Sequence, residues 1–124
     1  MVNKQNYLNS IEQNIDIVRG DTLAFNFQLA GLGSRADYEA LSVMFAVAEH
    51  YDDEALIEVD TTNGVTLEDY NEADDVALYS VSVAPALTKD LDLARYYYDL
   101  QIKDTDNTIT LMRGRFTLLW DVSD

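Results

Sequence analysis

His50 is the only histidine of the chain, and there is no cysteine. Any nucleophilic triad or transition-metal centre would therefore be built around one imidazole. A Ser-His-Asp arrangement would have to use it, but no serine lies in a nucleophile-elbow sequence. A zinc site with one His and no Cys would need carboxylates for its remaining ligands, an uncommon set. His50 is followed by Tyr51-Asp-Asp53, a setting that predicts a surface loop at the end of a strand.

Three other stretches carry chemistry-bearing residues. Asp104-Thr-Asp-Asn107 has the first carboxylates of a calcium loop but neither the sixth-position Gly nor the closing Glu, so it fails the EF-hand pattern. Residues 68–75 hold five carboxylates in eight positions with no apolar period, which predicts an exposed acidic loop. Arg19-Gly-Asp21 matches the integrin-binding tripeptide, but Gly-Asp is also what a tight turn between strands requires. The turn is the expectation. Paired carboxylates for glycoside hydrolysis would need a cleft, and a small sandwich with short loops offers little room for one. No glycine loop for phosphate is present. These readings lead to no enzyme, no cofactor, no metal and no small-molecule substrate.

The elements that would position these residues are strands. Ala94-Arg-Tyr-Tyr-Tyr-Asp-Leu-Gln-Ile-Lys103 alternates, with Tyr96, Tyr98, Leu100 and Ile102 on one face and Tyr97, Asp99, Gln101 and Lys103 on the other. A period of two is the mark of a half-buried strand. After a polar turn at residues 104–107, Ile109 and Leu111 are apolar at odd positions, whereas Phe116, Leu118, Trp120 and Val122 are apolar at even ones. A strand changes parity only through an extra residue. The spacing therefore predicts a bulged hairpin, with the bulge at residues 112–115 and Gly114 supplying the permissive backbone. Tyr98, Leu100, Phe116, Leu118 and Trp120 are the expected buried face.

Upstream, residues 1–10 are rich in Asn and Gln and predict a flexible arm. Met1-Val-Asn-Lys-Gln-Asn6 does not form the apolar core of a secretory signal. Residues 11–124 predict one β-sandwich domain. Leu23, Phe25, Phe27 and Leu29 alternate as a strand, and residues 31–37 read as a Gly-punctuated loop. Residues 40–48 are almost continuously apolar, which suits a central strand covered on both faces. Short strands follow at 56–59 and 65–67, then a long one at 76–84 ended by Pro85. Residues 86–91 suit a short helical turn that crosses between sheets. About seven or eight short strands, with that turn before the penultimate one, predict an all-β, immunoglobulin-like antiparallel β-sandwich. One of Tyr96 and Tyr98 is expected to make a tyrosine-corner contact with the crossing segment.

The charge balance is 23 acidic against 8 basic residues, a formal net charge of −15 over 124 residues. Such a surface repels nucleic acid and anionic membranes, whose phosphates need Lys and Arg. Neither is expected as a partner. Met44, Ala46 and Ala48 on the second face of the central strand, with Leu119 on the last strand, are apolar where a two-layer sandwich is normally polar. They are the candidate protein-interface residues.

Val18-Arg-Gly-Asp-Thr-Leu-Ala-Phe25, Phe45-Ala-Val47 before Tyr51-Asp-Asp-Glu-Ala-Leu-Ile57, Arg95-Tyr-Tyr-Tyr-Asp-Leu-Gln-Ile102 and Arg113-Gly-Arg-Phe-Thr-Leu118 with Trp120-Asp-Val122 resemble a set of small phage and prophage proteins. That set is similar to the N-terminal β-sandwich domain of phage baseplate upper proteins. The resemblance spans roughly residues 15–122 and carries no catalytic residue across. It implies a non-enzymatic virion structural or adaptor protein, in the tail, baseplate or head-decoration class, assembled in the host cytoplasm. Its partners would be other virion subunits or further copies of itself. The alternative expectation is an acidic DNA mimic that inhibits a host nuclease or restriction system, which would need carboxylates arrayed along one continuous face.

Overall fold

The computed structural model describes residues 11–119 apart from 52, 93, 105 and 106. The strands are β1 (Ile11–Glu12), β2 (Ile15–Val18), β3 (Leu23–Ala30), β4 (Ser42–Ala48), β5 (Ile57–Asp60), β6 (Val65–Asn71), β7 (Val76–Val83), β8 (Arg95–Lys103) and β9 (Thr108–Leu119). A short helix α1 (Arg35–Glu39) precedes β4, and a 3-10 turn (Pro85–Leu87) lies between β7 and β8. One sheet has the order β9–β8–β4–β5, with β1 and β2 end to end along the free edge of β9; the other has the order β3–β7–β6. We call these sheet A and sheet B. The protein is an all-β sandwich.

β7 and β8 bury alternate residues along their whole length. β7 buries Ala77, Tyr79, Val81 and Val83, and β8 buries Tyr96, Tyr98, Leu100 and Ile102. The inner faces meet around Phe45 of β4, whose ring lies 5.4 Å from Tyr98 and 6.2 Å from Phe116 within its own sheet. Across the interface it meets Phe25 edge-on at 5.6 Å. Offset and edge-on aromatic contacts add to the area they bury. The strand order, with four central strands facing three and an entering strand along the last, is immunoglobulin-like. Tyr96 completes the pattern: its hydroxyl donates 2.9 Å to the Asp92 carbonyl, four residues upstream on the crossing segment.

Several expectations are corrected in detail. β1 and β2 run parallel to β9, whereas the other pairings are antiparallel. Almost the whole domain lies between them, which gives a parallel pair its long crossover. The bulge of β9 is at Leu111, where Leu100 pairs with Met112 but Gln101 pairs with Thr110. Gly114 serves another purpose: a Cβ there would run into the Gln13 carbonyl, because the link between β1 and β2 passes directly over it. Residues 68–71 belong to β6, which pairs with β7 through a register shift between Leu67 and Asp69. An edge strand can carry charge on its exposed side.

Residues 35–39 form α1, with the Ser34 side chain capping the Asp37 amide. Tyr38 of that helix is buried, and its hydroxyl lies 2.9 Å from the Asp75 carbonyl oxygen. β4 lies between β8 and β5 but is fully covered on its inner side only; Met44 and Ala46 are half-buried on the outer side. Two layers leave that side facing outward. Trp120 lies outside the described residues.

Candidate interaction surface

The outer face of sheet A collects the residues that the core excludes. On β4 it carries Met44, Ala46 and Ala48. On β8, in register, are Gln101, Asp99 and Tyr97. On β9, opposite these, are Thr110, Arg113 and Arg115. β5 adds Asp60 beside Met44 and Glu58 beside Ala46.

Of the four apolar candidates, Met44 and Ala46 are neighbours on this face, each bracketed by polar side chains. Ala48 is only 8 % exposed and contributes little surface. Leu119 is 42 % exposed and pairs with Val18 on β2, four residues beyond Arg115. That is about 13 Å along the strand. The structure brings Met44 and Ala46 together and leaves Leu119 at the far end of the face. The apolar strip is not continuous.

A tighter cluster lies between them. Tyr51, 45 % exposed, folds back from the loop after β4, with its ring 4.9 Å from Tyr97. The Arg113 guanidinium sits 5.1 Å from the centre of the Tyr51 ring, a cation–π contact. The Tyr51 hydroxyl donates 3.2 Å to the Gly114 carbonyl. His50 is an exposed loop residue whose ring lies 6.2 Å from Tyr97. Next to Tyr51 is an open cleft of about 300 Å³ lined by Asn14, Tyr51, Gly114 and Arg115. Asn14 accepts the Arg115 backbone amide at 3.1 Å, with the Arg115 Nε 3.5 Å from the same oxygen. On the other side of Arg113, partial burial pushes the Asp99 carboxyl above the usual carboxylate range, and Arg113 pulls it back.

This cluster was not singled out from the sequence. Half of its signal is legible there: Tyr97 on the exposed face of a strand, and Arg113 and Arg115 two apart. Tyr51 joins them only because β4 and β8 pair with Ala48 opposite Tyr97, and that register is a tertiary fact.

The other chemistry-bearing stretches have structural duties. Arg19-Gly-Asp21 is the turn from β2 to β3, with Gly20 at φ 90° and the Asp21 amide bonded to the Val18 carbonyl at 3.0 Å. Arg19 donates to the Leu91 carbonyl at 3.1 Å, and the Gly20 amide donates to Thr88. Asp75, at φ 51°, receives the Gly33 amide on both carboxylate oxygens, at 2.9 and 3.1 Å. The Asp104 carboxylate caps its own turn by accepting the Asn107 amide at 2.7 Å. Among the described residues no group of three or more His, Asp or Glu is arranged to hold a metal ion, and no helix is long and apolar enough to cross a membrane.

The sequence matches no protein-family model, and a search of curated proteins finds no relative.

Proposed function

We propose that this chain is a non-enzymatic structural or adaptor protein of a phage or prophage particle, in the tail, baseplate or head-decoration class, and that it works through protein–protein contacts on the outer face of sheet A. The virion part rests on the sequence resemblance described above. The contact part rests on one observation: Met44, Ala46, Tyr51, Tyr97 and Arg113 share a face that no third layer covers among the described residues. Tyr, Met and Arg are the residue types that interface centres favour.

The DNA-mimic reading draws less support. Glu58 and Asp60 lie on sheet A, whereas Glu68, Asp69, Glu72 and Asp74 lie on or beside β6.

Mass spectrometry of particles purified after prophage induction of the encoding strain tests the proposal. The chain is expected at a fixed copy number per particle, and Met44→Asp or Ala46→Asp is expected to fold normally and be lost from particles. Particles without the wild-type chain would refute the virion assignment. Normal incorporation of both folded variants would refute this face as the contact.

A further inference from the structure

We infer that the chain forms a two-fold dimer in which the free edge of β3 pairs with β3 of a second copy, joining two three-stranded B sheets into one. The inference concerns the other sheet from the virion proposal and does not depend on it.

It begins from a comparison of the sheet edges. An open edge strand offers unpaired N–H and C=O groups to other strands, and proteins blunt it with charge, proline, bulges, shortness or cover. On sheet A, the strands along β9 are two and four residues long, the longer with Asp16. The opposite edge, β5, has four residues and carries Glu58 and Asp60. On sheet B, β6 carries Glu68, Asp69 and a register shift. β3 has none of these devices. Its residues, Leu23-Ala-Phe-Asn-Phe-Gln-Leu-Ala30, include no charge and no proline, and they pair with β7 in one unbroken register. On its other side β3 makes no backbone hydrogen bond among the described residues. β7 is uncharged as well, so a strip two strands wide is neutral in a chain of net charge −15. A second acidic copy meets least repulsion there.

The inner side of this edge is unfinished. Ala77, Tyr79, Val81 and Val83 of β7 are fully buried, whereas Leu23, Phe25 and Phe27 of β3 remain half-buried. A strand that completes the edge must bring large apolar residues at alternate positions. β3 itself meets that description, and the order of its residues favours a second β3. Residues 23–29 read Leu-Ala-Phe-Asn-Phe-Gln-Leu, the same in both directions except for Ala24 and Gln28. Antiparallel pairing about Asn26 sets Leu23 opposite the partner's Leu29, Phe25 opposite the partner's Phe27, and Asn26 opposite the partner's Asn26. Each inward residue then meets an inward one, as a shared face requires, and the aromatic pair occurs twice. The contact is isologous and closes at two copies. The acidic groups that flank it stand toward its ends. Asp21 comes opposite the partner's Gly31, and within each chain the Gly31 amide is bonded to the Asp75 carbonyl. Asp69 and Asp74 share an open pocket with Gln28.

The chain has no cysteine, so single cysteines at the exposed positions 24, 26 and 28 report the register. Asn26→Cys is expected to form a disulfide-linked dimer under mild oxidation, because directly opposite residues have Cα atoms about 4.5–5.5 Å apart. Ala24→Cys and Gln28→Cys are expected to cross-link at least about tenfold more slowly, since their counterparts lie four residues, about 13 Å, along the strand. Sedimentation velocity is expected to show a wild-type dimer that strengthens between about 0.01 and 0.15 M salt, as the Debye length falls from about 30 to about 8 Å. Asn26→Asp and Asn26→Lys each set like charges opposite one another. Each is expected to weaken the dimer at least about tenfold, and mixing the two is expected to restore it. Circular dichroism checks that the variants fold. A wild-type monomer, a dimer weakened by salt, or Asn26→Cys linking no faster than the other two cysteine variants would each overturn the inference. So would charged variants that dimerise as the wild type does, or a mixture of them that stays monomeric.

Discussion

Tyr98 and Gly114 stand directly opposite each other on β8 and β9, and one oxygen, the Gln13 carbonyl, fills the space above the glycine and accepts the tyrosine hydroxyl at 2.6 Å. The missing side chain of Gly114 lets the entering segment lie against the sheet, and Tyr98 fastens it there. Gly114→Ala is therefore expected to cost about 1–3 kcal/mol or more by overpacking against backbone that cannot rotate away. Urea unfolding should show a lower midpoint at unchanged slope. An unchanged midpoint would mean that the β1–β2 link does not lie over β9.

The same contact predicts an alkaline response. Burial, with a smaller contribution from Tyr51, pushes the Tyr98 phenol up from 10.0 to about 12. A folded-state value above the unfolded one means that the neutral phenol stabilises the fold fully below pH 10, and that this stability is lost as pH rises toward about 12. Tyr98→Phe should cost about 1 kcal/mol at pH 7, the usual net worth of one hydrogen bond, and should flatten the loss of stability above pH 10. Melting temperatures at a series of alkaline pH values would reveal it. A wild-type chain no more alkali-sensitive than the variant would refute the assignment.

Asp99 carries the opposite sign. Desolvation raises its carboxyl despite Arg113, so its ionised form is disfavoured in the fold and weakens it at neutral pH. Asp99→Asn is expected to raise the melting temperature at pH 7, with the gain shrinking as pH falls and the wild-type carboxyl protonates. A lower melting temperature at pH 7 would show that the attraction to Arg113 outweighs the desolvation.

Asp75 separates a backbone effect from a side-chain effect. Its φ of 51° suits Gly or Asn, while its carboxylate holds the Gly33 amide. Asp75→Gly should keep the turn and lose the bonds; Asp75→Asn should keep the turn and part of the bonding; Asp75→Ala should lose both. The expected order of stability is Asp, Asn, Gly, Ala, with Ala lower than the wild type by about 2–4 kcal/mol when the costs of the backbone and the lost bonds are combined. Chemical denaturation of the three variants decides it, and Ala equal to Asn would refute it.

His50→Ala is expected to change stability by less than about 0.5 kcal/mol, the usual range for a surface substitution. Its exposed ring lies 6.2 Å from that of Tyr97, between ring centres. A clear drop in thermal stability would show that the Tyr51–Tyr97 cluster depends on it.

Alternation in the sequence determined the strands, because a period of two admits one reading wherever one face is buried. It put Tyr98, Leu100, Phe116 and Leu118 inside, and it showed that β9 changes parity. It also marked Tyr96 or Tyr98 for the corner contact, since a tyrosine at the start of that strand has the crossing segment within reach. The bulge was displaced because parity records that a residue is extra and not which one. Pairing with β8 chose Leu111. Likewise, Gly114 read as a bulge residue because the sequence shows a missing side chain and not what fills the space. Gln13, one hundred and one positions away, supplies the reason. α1 and the end of β6 went unread because five helical residues and the four strand residues Glu68-Asp-Tyr-Asn71 carry too little periodicity. A buried Tyr38 and the partner strand β7 hold them in place.

The apolar character of Met44, Ala46 and Leu119 was visible in the sequence, but their separation was not. Whether two outward residues are neighbours depends on the order and register of β9, β8 and β4, which no local pattern encodes. The same register brings Tyr51, Tyr97 and Arg113 into one cluster. Local chemistry determined which residues face outward; only the pairing of distant strands decided which of them meet.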